Sequence, residues 1–318
     1  LTALQDNRIA QPCFAWRHRQ ERLSHGPSRP ILPPLPRPDI AWSTALTASP
    51  ARLAPSLLPP LLAPLTVLVI AAARAIRAIA RDDMAAVVKA DNSPVTRADM
   101  ASHDVLVEGV AALLPGVPVV SEEDSATRHG PLQGSFVLID PLDGTREYVS
   151  GSDEYAVNLA LITDGEPVLG IVAAPAKRLI WRGIVGGGAE RLRYADNGAV
   201  IEHGSIRTRP LPDGTWTAVV SRSHGDPVTE AFIAARPGAT RDAMGSALKF
   251  CRVAEGSADI YPRLAPTSEW DVAAGHAVIA AAGGKVTDGS GNPLRYGQRS
   301  NGFGLPDFIA WGDPAARP

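Results

Sequence analysis

A chain of 318 residues with 45% hydrophobic and 20% charged side chains can bury a sizeable core, which excludes a wholly disordered polymer. Its formal net charge of −2 gives no overall attraction to nucleic acid or to an anionic membrane, so no nucleic-acid polymer is expected as a partner. The two cysteines, Cys13 and Cys251, have neither the number nor the spacing of a disulfide scaffold or a zinc site, and they fit a reducing, cytoplasmic setting.

Residues 1–60 are rich in Pro and Arg and read as a disordered N-terminal extension, with a presequence and a translated leader both left open. Leu57 to Ala73 is nearly all apolar, but three prolines break it and Arg74 ends it short of a comfortable span, so no transmembrane segment is expected. Peripheral association with the cytoplasmic face of an inner membrane stays compatible with this pattern. Leu65 to Arg81 reads as the first amphipathic helix, with Arg74, Arg77 and Arg81 on its solvent face. Val87-Val88 is a short strand entering a polar turn. Thr96 then caps a helix in which Asp99 occupies the first turn and Val105, Leu106, Val110, Leu113 and Leu114 recur at helical spacing. Pro118-Val119-Val120 is a short buried strand that ends in Glu122-Glu123.

Phe136-Val137-Leu138-Ile139 lacks polar alternation and reads as a strand buried on both faces. It runs into Asp140-Pro141-Leu142-Asp143-Gly144-Thr145, where Pro141 fixes φ and Gly144 permits a tight bend. Asp140, Asp143 and the Leu142 carbonyl can then converge as hard oxygen ligands for Mg²⁺. An ordinary acidic turn capping a helix is the alternative reading of these residues alone. Further on, Asp164-Gly165 and Gly186-Gly187-Gly188 punctuate an antiparallel meander, which closes an α+β unit over 61–211. Ala218 to Ser221 opens an α/β unit over 212–318, with helices at Pro227–Ala235 and Leu248–Glu255. An Ala-rich helix then begins near Asp271 and stops at Gly283-Gly284.

Taken in order, Asp99, Glu122-Glu123, Asp140-Pro-Leu-Asp143-Gly-Thr145 and Trp270-Asp271-x-Ala-Ala-Gly resemble the inositol monophosphatase superfamily of magnesium-dependent, lithium-sensitive phosphatases. Lys89 to Thr96, Ser221-Arg-Ser-His224, Leu248-Lys-Phe-Cys251, Tyr261-Pro-Arg263 and Ala273 to Val278 are similar to its bacterial bisphosphate nucleotidase branch. The resemblance runs from about Leu65 to the C-terminus and implies a layered α/β/α/β/α sandwich with metals between its halves. It implies one Mg²⁺ on Glu122, Asp140 and the Leu142 carbonyl, and a second on Asp140, Asp143 and Asp271. A third would be weakly held near Glu122 and Asp99.

By the same resemblance, Asp99 and Thr145 orient the attacking water and His224 meets the adenine. Gly245, Ser246 and Lys249 hold a 5'-phosphate with help from Arg263, and Gly144 lines the substrate beside the metal-binding acids. The implied reaction is hydrolysis of adenosine 3',5'-bisphosphate, a small-molecule partner, to AMP and phosphate, as in sulfur assimilation. Inositol monophosphate or a sugar bisphosphate is the alternative substrate with the same metals, and a non-catalytic Mg²⁺- and nucleotide-binding regulator is the alternative class. The sequence leaves the oligomeric state open. Ala247 and Tyr148 depart from the family pattern, and Ala247 bears on substrate preference rather than on the reaction. His103 and His276 read as structural histidines, and Trp270 as packing that fixes Asp271.

Overall fold

The computed structural model describes residues 52–79, 87–88, 94–124, 132–222, 225–236, 238–298 and 301–318. Its first helix, α1 (Leu58–Ala78), starts at Leu58 rather than Leu65, because Pro59 and Pro60 fall in the first turn, where helix N–H groups have no partner to lose. Leu61, Leu65, Leu68, Ala72 and Ile76 are fully buried along one face of it. The fold also reaches ahead of the boundary expected at residue 60: Leu53 and Leu58 are buried, and the Leu53 N–H donates to Ser135 Oγ at 2.9 Å. The disorder expected over 1–51 and the position of Arg81 lie outside the described residues. Pro55–Ala78 is long and apolar enough to cross a membrane, yet 56% of its most apolar window is buried inside the fold, so the structure gives this helix a packing role.

Strands β1 (Val87–Val88) and β2 (Pro94–Val95) form a short antiparallel pair. Helix α2 (Arg97–Leu113) opens with a capping box between Thr96 and Asp99, as its sequence indicates. Next come β3 (Val119–Ser121), β4 (Ser135–Asp143), the short α3 (Thr145–Val149), β5 (Ala156–Thr163), β6 (Glu166–Ala174), β7 (Leu179–Ile184), β8 (Gly188–Tyr194) and β9 (Val200–Ile206). These strands make one seven-stranded sheet in sequence order, parallel between β3 and β4 and antiparallel elsewhere. Asp164 and Gly165 both take positive φ, 52° and 77°, as a two-residue hairpin requires.

The second half contains β10 (Thr217–Ser221), α4 (Pro227–Ala234), β11 (Thr240–Met244), α5 (Leu248–Ala254), β12 (Ile260–Arg263), β13 (Thr267–Ser268), α6 (Glu269–Ala282), β14 (Lys285–Thr287), β15 (Gly304–Leu305) and β16 (Phe308–Trp311). Five of these strands form a sheet in the order β11-β10-β12-β16-β14. The parallel order reverses at β10, which has β11 on one side and β12 on the other. The changeover between sheets falls between Ile206 and Thr217.

Side-chain parity stacks the layers. Val137 and Ile139 of β4 join Leu159, Leu161, Leu169 and Ile171 in the core under α1 and α2. Phe136 and Leu138 point the other way, into a core shared with α5, α6 and the inner face of the second sheet through Val219, Tyr261 and Phe308. On that sheet's outer face, Ile233 of α4 meets Ala218, Ile260 and Trp311. The result is the expected α+β arrangement in α/β/α/β/α layers. Helix α6 lies between the two sheets, which explains its alanine-rich, apolar circumference. It sits so close to β6 that a Cβ on Gly170 would stand 2.3 Å from the Ala274 carbonyl oxygen.

Candidate active site

In an unbroken strand Asp140 and Asp143, three residues apart, would face opposite sides of the sheet. They do not, because Asp140 pairs with Asn158 and Asp143 with Ala156, so β4 carries one more residue than β5 across this interval. The bulge returns Asp143 to the Asp140 face, toward α6, and sends Leu142 into the core under α1 and α2. The Ser102 hydroxyl fastens the bulge by donating to the Pro141 carbonyl at 2.7 Å. Gly144 then turns the chain into α3 with a φ of 89°, a left-handed conformation that strains any residue with a Cβ.

Asp140, Asp143 and Asp271 are each held by protein donors. Asp140 is 1% exposed and takes the Leu142 N–H on Oδ1 at 3.1 Å. Asp143 Oδ2 accepts from the Ala247 N–H and from Asn158 Nδ2. Asp271 is the third residue of α6, where its Oδ2 accepts from the Thr267 hydroxyl and the Ser268 N–H. Glu122 follows β3, and its backbone N–H is bound to the Ile139 carbonyl of β4. Burial and then the charges of Glu122, Asp143 and Asp271 push the Asp140 carboxyl well above its usual range. Asp143 is pushed up to about 6, by burial first and then by Asp271, against the relief given by Lys249.

Asp99 is fully buried and accepts from the Thr96 N–H at 2.7 Å and from the Thr145 hydroxyl at 3.1 Å. The same hydroxyl lies 3.1 Å from the Leu142 carbonyl oxygen. Burial raises the Asp99 pKa against the lowering effect of its hydrogen bonds.

A cavity of about 260 Å³ brings together Glu122, Asp143, Gly144, Thr145, Ser246, Lys249, Arg263 and Asp271. Lys249 is 3% exposed, so it is no solvated helix lysine. Its ammonium donates to the Ser246 carbonyl at 2.6 Å and the Met244 carbonyl at 3.3 Å, and burial lowers its pKa to about 8. Arg263 donates to the Pro266 carbonyl at 3.0 Å. The Ala247 side chain sits in the core, and its contribution to the site is its backbone N–H on Asp143. His224 lies outside the described residues. His103 is buried and hydrogen-bonded to Ser121, His276 is paired with the Tyr296 hydroxyl, and Trp270 packs beside Phe303, so none of the three faces this cavity.

Residues that the sequence did not bring forward include Asn158, Thr267, Glu154 and Arg222. Glu154 accepts two bonds from the Arg222 guanidinium and one from the Gly245 N–H. Arg222 falls inside the Ser221-Arg-Ser-His224 stretch, but its partner lies 68 residues away and carries no local signal.

Among the described residues, no three His, Cys, Asp or Glu side chains are drawn into a ready-made ion cage: Glu122, Asp143 and Asp271 share the cavity wall, while Asp140, Leu142 and Asp99 are buried and outside its lining. The donor set still fits a hard cation. Asp140, Asp143 and Asp271 each engage one oxygen with protein donors, while the other has no protein donor among the described residues. Carboxylates oriented in this way and repelling one another suit Mg²⁺, which takes oxygen ligands and keeps waters for a phosphate to replace.

The chain matches the inositol monophosphatase family over residues 59–305 and belongs to it. The enzymes of this family are phosphatases that depend on a metal ion, generally Mg²⁺. The chain is 42% identical over 229 residues to the 3'(2'),5'-bisphosphate nucleotidase CysQ of Escherichia coli K12, which covers 71% of this chain and 88% of that relative. It is similar to the crystal structure of CysQ from Bacteroides thetaiotaomicron, at 33% identity and a TM-score of 0.64 over 80% of this chain and 98% of the other. The Thermotoga maritima IMPase, at 21% identity and a TM-score of 0.62 over 78% of this chain and 91% of the other, shares the fold.

Proposed function

We propose that this chain is a Mg²⁺-dependent 3'(2'),5'-bisphosphate nucleotidase, a cytoplasmic enzyme that hydrolyses adenosine 3',5'-bisphosphate to AMP and phosphate. The observation that carries this reading is the polarity of a single cavity: carboxylates of Glu122, Asp143 and Asp271 share it with the buried ammonium of Lys249. A substrate with two separated phosphates matches both, one through cations on the acids and one through the lysine. The similarity to relatives named as bisphosphate nucleotidases supports the same choice.

Glu122, Asp140 and the Leu142 carbonyl would hold one Mg²⁺, and Asp140, Asp143 and Asp271 a second, with a third, weaker site near Glu122 and Asp99. When bound, the ions supply Lewis acidity to the phosphoryl oxygens and a water of lowered pKa. Thr145 can donate its hydroxyl hydrogen to Asp99 or to the Leu142 carbonyl, which leaves its oxygen lone pairs to accept a hydrogen bond from the attacking water. Asp99, buried and already raised in pKa, is the group able to take up the proton that the water gives up through that hydroxyl. Lys249, with Gly245, Ser246 and Arg263, anchors the remote phosphate, so binding energy gained there positions the scissile one.

Phosphate release from adenosine 3',5'-bisphosphate and from inositol monophosphate, each with and without Mg²⁺, tests the proposal. Faster Mg²⁺-dependent release from the bisphosphate is expected. Preference for inositol monophosphate would transfer the assignment to the sugar-phosphate branch of the family.

A further inference from the structure

The segment Gly245-Ser246-Ala247 reaches the acids under tight constraint. A Cβ on Gly245 would stand 2.6 Å from the Glu154 carbonyl oxygen, so this turn of the second half touches the loop before β5 backbone to backbone. Ser246 takes a φ of 51°, which a residue with a Cβ keeps only when its surroundings hold it there. Three contacts do so: the Gly245 N–H on Glu154 Oε2 at 2.9 Å, the Lys249 ammonium on the Ser246 carbonyl, and the Ala247 N–H on Asp143.

The Glu154 carboxylate is in turn gripped at 3.0 Å and 2.9 Å by Nε and Nη2 of Arg222, at the end of β10. Nη2 also donates to the Ala243 carbonyl, and the Arg222 backbone N–H donates to the Met244 carbonyl, both at the end of β11. One fork-shaped pair thus ties together the loop before β5, the end of β10 and the turn after β11. An isolated surface ion pair contributes little. A two-pronged pair with a shared backbone donor fixes geometry as well as charge.

We infer that Glu154 and Arg222 are positioning residues that act through the Ser246 turn, setting the distance between the remote-phosphate subsite and Asp143 and so the preference for a substrate with two phosphates. This deepens the nucleotidase reading and rests on it. Arg222→Gln and Glu154→Gln are compared with the wild type, and Arg241→Gln, which breaks an exposed ion pair with Glu230 in the same half, serves as the control.

Each of the two variants is expected to raise KM for adenosine 3',5'-bisphosphate about tenfold with kcat within about threefold, and to affect adenosine 3'-monophosphate less. The double variant is expected to match the worse single one, because the two residues act as a unit. Hydrogen exchange in a peptide spanning 243–250 should accelerate in both variants and not in the control. Unchanged exchange and unchanged KM overturn the inference, and so does an equal loss on both substrates, which would make the pair a support of the acids alone. A wild type that fails to prefer the bisphosphate defeats the nucleotidase reading instead, while the exchange experiment still decides whether the pair holds the turn.

Discussion

Asp143→Asn is expected to raise stability and abolish activity, two effects that a merely structural acid would not combine. In the metal-free protein the Asp143 pKa is pushed up from 3.8 to about 6, so its ionised form is disfavoured in the fold. Below the unfolded value both states bind the proton and nothing is lost. As pH rises from about 4 through about 6 the folded state must surrender a proton it holds more tightly than the unfolded chain, and stability falls. At about 1.4 kcal/mol per pKa unit the full difference is about 3 kcal/mol. Asp143 lines an open cavity, so solvent screening trims this to about 1–3 kcal/mol at pH 7.

Asparagine keeps an oxygen for the Ala247 N–H and removes the charge. For a chain of this size the gain corresponds to a melting temperature higher by about 5 °C in excess chelator at pH 7, shrinking toward zero near pH 4. Phosphate release in Mg²⁺ should meanwhile fall by roughly three orders of magnitude or more, because a cation loses one of its carboxylates. The assay is thermal unfolding across pH 4–8 with chelator, paired with turnover with Mg²⁺. A variant that melts below the wild type at pH 7, or one that turns over normally, refutes the electrostatic account of the site.

Lys249→Met, which keeps the buried stem, should lower kcat/KM for the bisphosphate by about one to two orders of magnitude while changing inositol monophosphate far less. The ammonium titrates at about 8, so kcat/KM for the bisphosphate should also decline above that pH, a limb that disappears in the variant. Thr145→Val removes the hydroxyl 3.1 Å from Asp99 and should cut kcat by about a hundredfold with little change in KM, and Thr145→Ser should restore most of it. Turnover should vanish in excess chelator, and millimolar Li⁺ should inhibit to an extent that depends on Mg²⁺, checked by rates over a grid of the two ions. Removing residues 1–51 should leave turnover intact, whereas removal through Pro60 should lower the melting temperature, because it takes away the buried Leu53 and Leu58.

What the residues disclosed in advance depended on whether a signal was local. Phe136 to Ile139 were legible as a two-faced buried strand because both neighbouring layers demand apolar side chains there. Thr96 with Asp99 was legible because a capping box is complete within four residues. Strand β9 was not, since it is an exposed edge whose Val200 and Ile201 bury nothing that would impose alternation. Nor was β12, where Pro262 breaks the expected composition of an interior strand. Prolines also hid the true start of α1, because position within a helix decides whether proline harms it, and position emerges only with the helix. At the site, the order and spacing of the acids marked the chemistry. The orientation of Asp143 rests on Asn158 and the Ala247 N–H, which reach it only through folding.

The bulge in β4 makes the separation of the two acids a statement about phase. Two residues between Asp140 and Asp143 place both on one side of the sheet only because one of the two is surplus to the pairing with β5. Deleting either Pro141 or Leu142 would leave a strand of perfectly regular alternation and still keep both acids on one face. It would leave Asp143 opposite Ala156, as it stands now, but would take out the step that sends Leu142 into the core under α1 and α2. The Ser102 hydroxyl would lose the Pro141 carbonyl that it holds, or the Thr145 hydroxyl the Leu142 carbonyl 3.1 Å away. The irregular step therefore does two things at once: it returns the second acid to the face of the first and sets a backbone carbonyl beside the Thr145 hydroxyl. Chains of this kind should tolerate substitution at the Leu142 position, whose carbonyl lies 3.1 Å from the Thr145 hydroxyl, far better than any change in the count of residues there.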